Sequence, residues 1–331
     1  MTEALIDYGL FFAKTLTIFL LFGVLLFVLV RSRRGHQPDA DRLDVVDLNE
    51  KYRVMARALK RASLPKKAWI KALKRDRKAE KRREKDGGEH QRRVFVIDFH
   101  GDIKATEVAS LREVVTGVLM EIGKDDEVLV RLENAGGIVT EHGLAASQLA
   151  RIRERKVRLT ISVDKVAASG GYMMACVADR IIAAPFAVVG SIGVVAQLPN
   201  FHRLLERSGV DFELHTAGEY KRTLTLFGEN SEAGREKLRQ QLEDTHLLFK
   251  DFIREHRPDL DLKRIATGEY WYGTQALDLG LVDQVLTSDD YLMEASRDAD
   301  LFLVSYAAKK RPVERLLSSV GDLVLRILRG R

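Results

Sequence analysis

Cysteine is almost absent: the chain of 331 residues holds one, Cys176. A lone cysteine excludes an internal disulfide and any zinc site built on several thiolates. It leaves the compartment open, since many exported proteins fold without disulfides. Disorder is excluded by composition, with 46% hydrophobic and 31% charged residues. The net charge of +6 is no argument for a nucleic-acid-binding body, and no nucleic-acid partner is expected. Residues 51–93 hold 18 Lys and Arg against 5 Asp and Glu, so the rest of the chain is net acidic. The basic character belongs to one segment and not to the folded body.

One apolar run is long. Residues 9–30, GLFFAKTLTIFLLFGVLLFVLV, carry a single charge, Lys14. As a helix this stretch can cross a bilayer core of roughly 30 Å. No small-residue cleavage site follows it, and RSRR (31–34) comes directly after, so the segment reads as a retained anchor over 1–34. Glu3 and Asp7 precede it, and Arg31, Arg33 and Arg34 follow. The positive-inside rule then places the body in the cytoplasm. Residues 35–92 read as a basic helical stalk, with a polar break at KDGGEH (85–90), either solvated or drawn to anionic lipid beside the anchor.

The texture changes at Arg93. VFVIDF (94–99), EVLVRLE (127–133) and VRLTISV (157–163) read as strands. Helical periodicity fills 105–122 and about 141–155. This alternation predicts βαβ units and a parallel sheet with right-handed crossovers. VDFELHT (210–216) reads as a further strand. A helix is expected over about 231–256, capped by Asn230 or Ser231, with Pro258 beyond its end. The run IIAAPFAVVGSIGVVAQL (181–198) is apolar enough to resemble a second span. Pro185, Gly190, Ser191 and Gly193 interrupt it, so buried sheet and turn are expected instead. A folded domain over 93–290 is then followed by 291–331, a strand and an amphipathic helix bearing Leu316, Leu317, Val320, Leu323, Val324 and Ile327.

Three glycine-marked sites fall at the ends of expected strands, where open α/β sheets place ligands. ENAGG (133–137) ends in paired glycines whose amides suit an oxyanion hole, or a tight turn. KVAASGGYMMA (165–175) sets Ser169 between a strand and an apolar helix, with Gly170 leaving room beside the hydroxyl. A nucleophile and a simple helix cap both fit that serine. AGEYKRT (217–223) places Lys221 in a polar loop. A nucleophilic serine needs a base. His142, His202 and His246 all sit on helical patterns without motif support, so a histidine base is neither indicated nor excluded.

From about residue 93 to 290 the chain resembles the signal peptide peptidase A family. The matching stretches are AASGGYMMACVADRI, GSIGVVAQLPNF, HTAGEYKRTLTLFGENSE and TGEYWYGTQALDLGLVDQV. The resemblance implies an α/β, ClpP/crotonase-like βαβ superhelical fold behind a transmembrane helix and stalk. It implies Ser169 as nucleophile, Lys221 as general base and Ser191 as the hydroxyl that orients the lysine. Gly136 and Gly137 are then the oxyanion amides, with Gly170 in support. The family motif SPGG reads NAGG here, with Asn134 and Ala135 leading the glycines.

The implied reaction passes through an acyl-enzyme and needs no cofactor and no metal. Its partners would be a polypeptide substrate, such as a signal-peptide remnant, membrane lipid, and further copies of the chain in a homo-oligomer with shared sites. The implied place is the bacterial inner membrane; charge bias favours a cytoplasmic body and the resemblance a periplasmic one. Two other readings share features of the sequence. A crotonase-like acyl-CoA enzyme would use Glu133 or Glu141, and TQALDLGLVD (274–283) fits it equally well. A non-catalytic scaffold would need neither Ser169 nor Lys221.

Overall fold

The computed structural model describes residues 9–23, 42–86 and 92–307. Residues 9–23 form helix α1, in a unit apart from Leu43–Tyr306. Its apolar side chains are exposed, Phe11, Phe19 and Leu21 among them. Fifteen residues rise only about 22 Å, and among the described residues no helix is long and apolar enough to cross a membrane. The remainder of the apolar run, 24–30, lies outside the described residues, as does the amphipathic tail 311–331.

The larger unit opens with β1 (Arg42–Asp47), α2 (Leu48–Ser63) and α3 (Lys66–Asp86). The basic segment is therefore two helices, not the single one its charge pattern suggests. Pro65 is the reason: it has no N–H to continue α2, and its carbonyl instead accepts the Trp69 N–H that starts α3. Lys60 Nζ reaches across to Asp76 at 2.7 Å. The start of α2 belongs to the folded body. Asp47 caps it through the Glu50 N–H, and buried Asn49 donates to Ala299 O and accepts from Leu301 N.

The body continues with β2 (Arg93–Gly101), α4 (Val108–Glu121), β3 (Glu127–Asn134), α5 (Val139–Glu154) and β4 (Arg158–Val163). Next come β5 (Val166–Ala168), α6 (Gly170–Ala175), β6 (Arg180–Ala183), β7 (Val188–Gly190), α7 (His202–Arg207) and α8 (Glu232–His256). The last elements are α9 (Leu262–Ile265), β8 (Tyr270–Tyr272), α10 (Gly273–Asp278), β9 (Gln284–Val285), α11 (Ser288–Ala295) and β10 (Asp300–Ala307). The main sheet has the order β1-β10-β2-β3-β4-β6-β9. Its central strands are parallel and buried on both faces, which is why they read as continuous apolar runs.

The sheet is mixed, not wholly parallel. A branch leaves β3 at its last residue: Asn134 pairs with Gly101 of β2 and with Ala167 of β5. β5 pairs in parallel with β7, and β7 pairs antiparallel with β8. Within 181–198, β6 and β7 form sheet that is largely buried, as the interrupting residues predict, but Phe186, Val195 and Leu198 are exposed. Helix α8 begins at the expected cap, Ser231, whose hydroxyl accepts from Gly234 N. VDFELHT differs from expectation: residues 210–216 join no strand and lie exposed.

Residues 281–283 make two sets of contacts, the first of them buried and to α6. Tyr172 Oη donates to Leu281 O at 3.1 Å. Asp283 accepts Arg257 at 2.7 and 2.9 Å and the Ile181 N–H at 2.7 Å. Burial alone raises the Asp283 carboxyl, but these donors outweigh it and hold it below the usual carboxylate range. The LVD stretch (281–283) is thus explained as packing that clamps α8, β6 and α6 together.

Candidate active site

Ser169 stands between β5 and α6 with φ +52° and ψ −117°. Such a backbone costs a non-glycine residue about 1–3 kcal/mol. A strand–serine–helix turn of this kind projects its side chain from the fold, the geometry of a nucleophile elbow. The turn is held by Ser169 N–H to Gly190 O at 2.8 Å and by Met173 N–H to Ser169 O at 3.0 Å. The side chain is half-buried and opens on a small cleft of about 20 Å³. Gly137, Val139, Met173, Val194, Thr245 and Phe249 help to line it. The contribution of α8 through Thr245 and Phe249 was not readable from sequence, since nothing local links a helix 76 residues on to the serine.

The two glycine motifs interlock. A Cβ on Gly136 would lie 2.7 Å from Ser169 Cβ and 2.9 Å from Gly170 N. One on Gly170 would meet the His142 ring at 2.5 Å, and one on Gly171 would meet Asn134 O at 2.1 Å. Gly136 and Gly171 therefore permit the close approach of the 134–137 turn to the elbow, while Gly170 admits the His142 ring and Gly137 the Ile103 backbone at 2.2 Å. Asn134 shapes this turn. Its Oδ1 accepts Gly136 N–H at 2.8 Å and lies 3.2 Å from His142 Nε2. Gly136 N–H is thereby engaged within the protein. Gly137 and Gly170 both border the cleft, and their amides have no acceptor among the described residues.

We expect Gly171→Ala to lower stability by about 1–3 kcal/mol, because backbone cannot yield to the added methyl as a side chain can. Gly143, inside α5, has nothing within 4 Å of its would-be Cβ. Gly143→Ala should be neutral or stabilising by up to ~1 kcal/mol. Thermal unfolding of the two variants checks the interlock; equal melting temperatures would refute it.

The remaining candidates fall into two groups. Ser191 follows the residue that holds the elbow but does not itself line the cleft. Its neighbour Gly190 accepts the Ser169 amide, and its own backbone is left-handed at φ +50°. Its hydroxyl donates to Gly268 O at 3.3 Å and its N–H to Glu269 O at 2.6 Å. Lys221 is not brought close. It lies exposed in the turn after Gly218, whose carbonyl accepts its N–H, and it does not line the cleft.

No histidine lines the cleft among the described residues, although His246, next to Thr245, has a buried Nε2 without a hydrogen-bond partner. His142 is fully buried, with Nδ1 2.9 Å from Ile138 O and Nε2 toward Asn134. Glu133 is held by Lys165 Nζ at 2.9 Å. Cys176 is no rival nucleophile, because burial pushes its thiol far up and keeps it protonated.

A strained serine elbow facing a glycine turn is a geometry that acyl-transfer hydrolases use. Residues 3–149 match Peptidase family S49 N-terminal, and residues 151–301 match Peptidase family S49. The chain belongs to this family and is a serine peptidase that acts on polypeptides. It is similar to the Probable protease SohB of Haemophilus influenzae, with 43% identity over 99% of this chain and 96% of that one. A second relative of that name, from Buchnera aphidicola subsp. Schizaphis graminum, is 46% identical over 96% of this chain and 94% of its own. Among solved structures, a mutant of the 1510-N membrane-bound stomatin-specific protease aligns over 62% of this chain and 84% of its own, at 13% identity and a TM-score of 0.43.

Proposed function

We propose that this peptidase is a membrane-anchored endopeptidase working through Ser169 and Lys221. The observation that carries the reading is the strained elbow at Ser169, which presents a hydroxyl beside two unengaged backbone amides. Ser169 Oγ attacks the peptide carbonyl carbon, and its proton passes to the neutral amine of Lys221. The carbonyl oxygen becomes an oxyanion held by Gly137 and Gly170 N–H; such donors contribute about 3–4 kcal/mol each. Collapse expels the amine, which takes the proton from Lys221, and leaves an acyl-enzyme. Water, activated by the same lysine, then releases the second product and restores Ser169.

Gly136 takes a different part from the one its motif implies. Its lack of a side chain admits Ser169, while its amide braces the turn. Lys221 is exposed in the single chain, and an ammonium loses its proton more readily when desolvated. Both facts favour a homo-oligomer in which a neighbouring copy delivers the lysine, with Ser191 as its hydroxyl partner. The fold reading is ClpP/crotonase-like. The apolar, exposed α1 supports an anchor in the bacterial inner membrane, with membrane-associated polypeptides or signal-peptide remnants as substrates.

A fluorophosphonate probe tests the nucleophile on the full chain in detergent. Labelling is expected on the tryptic peptide that contains Ser169, located by mass spectrometry. Labelling of another serine, or none in protein active on casein, would overturn the assignment.

A further inference from the structure

The opposite edge of the sheet holds a cavity that the peptidase reaction does not use. It lies at the N-terminal ends of β2, β3, β4 and β6, whereas Ser169 and Asn134 mark the C-terminal ends of β5 and β3. Its volume is about 870 Å³, within the range of small-molecule pockets. Six cations line it: Arg92, Lys124, Arg153, Lys156, Arg158 and Arg180. Three carboxylates lie among them, Asp125, Asp126 and Asp179.

Two of those carboxylates are already spent. Asp126 binds Arg93 at 2.6 Å, and Arg93 does not line the cavity. Three donors, one of them the Gly123 N–H, overcome its burial and hold its carboxyl low, so it stays charged and committed. Asp179 pairs with Arg153 and accepts Leu159 N–H at 2.8 Å. Arg92 is anchored by Glu127 at 3.1 Å, yet its buried Nε has no acceptor. Arg180 lies over the Tyr291 ring at 5.8 Å. Lys124, Lys156 and Arg158 have no acidic partner among the described residues. Asp125 offsets one of these charges, and the cationic excess that remains around the concave space is relieved when an anion binds.

We propose that this cavity binds a phosphate-bearing polyanion. Guanidinium forks and ammonium groups together match phosphate oxygens better than a single carboxylate does. The volume exceeds what one phosphate fills, so a ligand with two or more anionic groups is indicated. A soluble polyphosphate and an anionic lipid headgroup share this chemistry.

The test uses the full chain in neutral detergent and in phosphatidylcholine nanodiscs. Sodium tripolyphosphate should raise the melting temperature by about 4 °C or more at low salt and progressively less as NaCl is added. The double variant Lys156→Glu, Arg158→Glu changes exposed residues outside the catalytic machinery. It should lose the shift while keeping wild-type peptidase activity without added polyanion. A stabilisation that appears with cardiolipin in the nanodisc and vanishes in the variant assigns the site to headgroups. One seen only with tripolyphosphate assigns it to a soluble ligand. An equal shift in wild type and variant would place binding on the basic helices α2 and α3 and overturn the proposal, as would no shift in either medium.

Discussion

Ser169→Ala should abolish peptide hydrolysis, by about 10⁴–10⁶-fold in kcat, while leaving the melting temperature near wild type. The two halves of this expectation have separate causes. The loss of rate follows from removing the hydroxyl proposed as the nucleophile. The unchanged stability follows from geometry: the serine is fixed by its backbone amide and carbonyl, to Gly190 O and Met173 N, and alanine keeps both. Alanine also keeps the strain of φ +52°. Ser169→Gly should therefore be equally inactive but more stable. Relief of about 1–3 kcal/mol of strain exceeds the ~0.5–1 kcal/mol that glycine loses to unfolded-chain entropy. A net gain near 1 kcal/mol is about 2–4 °C in a domain of this size. Kinetics on a peptide substrate and thermal unfolding of both variants decide the matter. Residual activity above a hundredth of wild type in Ser169→Ala would remove Ser169 as nucleophile. A lower melting temperature in Ser169→Gly than in Ser169→Ala would remove the strain argument.

Much of this arrangement was legible because it is local. VFVIDF, EVLVRLE and VRLTISV announce strands by unbroken apolar runs, and each forms one, as β2, β3 and β4. Ser231 and Pro258 bracket α8 by capping and by the missing N–H. Ser169 is readable as a serine between strand and helix with space around it. What was hidden depends on groups distant in sequence. The need for Gly171 arises from the carbonyl of Asn134, 37 positions earlier, and no pattern within SGGY reveals it. The split of the basic segment was readable in principle from Pro65, but the run of lysines and arginines masks it. The antiparallel pairing of β7 with β8 joins segments 80 residues apart through a three-residue strand, too short for periodicity to register.

VDFELHT is a different kind of disagreement. Val210, Phe212 and Leu214 alternate as the face of a half-buried strand must, yet each is exposed, at 49%, 41% and 47%. Phe212 finds Phe227 at 5.8 Å, and among the described residues the backbone of 210–216 has no ladder partner. Alternation is a statement about burial, and burial needs a second surface. The single chain does not provide one. The same loop carries Lys221, which is likewise exposed and likewise without the neighbour its role requires. In the proposed homo-oligomer, one subunit surface would account for both. A second copy laid along 210–216 would cover the apolar residues and place Lys221 in a drier setting.

Mixing two inactive proteins therefore gives the sharpest test of the shared site. Ser169→Ala and Lys221→Ala should each be inactive alone, the second because a serine without its base remains a weak nucleophile. Combined under conditions that let subunits exchange, they should recover about one quarter of wild-type activity. Half the copies supply an intact serine, and half of the neighbours facing them supply an intact lysine. A double variant carrying both substitutions, mixed with wild type, should show no gain beyond the wild-type copies that still face one another. Two affinity tags, one on each parent, report whether mixed assemblies form. Mixed assemblies without recovered activity would mean that Ser169 and Lys221 meet within one chain. The loop 209–230 would then have to fold back toward the cleft, burying Val210, Phe212 and Leu214 against its own body. That alternative leaves its own mark: hydrogen exchange across 210–216 would be slow in a monomer. The shared-site arrangement requires it to be fast in the monomer and slow only in the assembly.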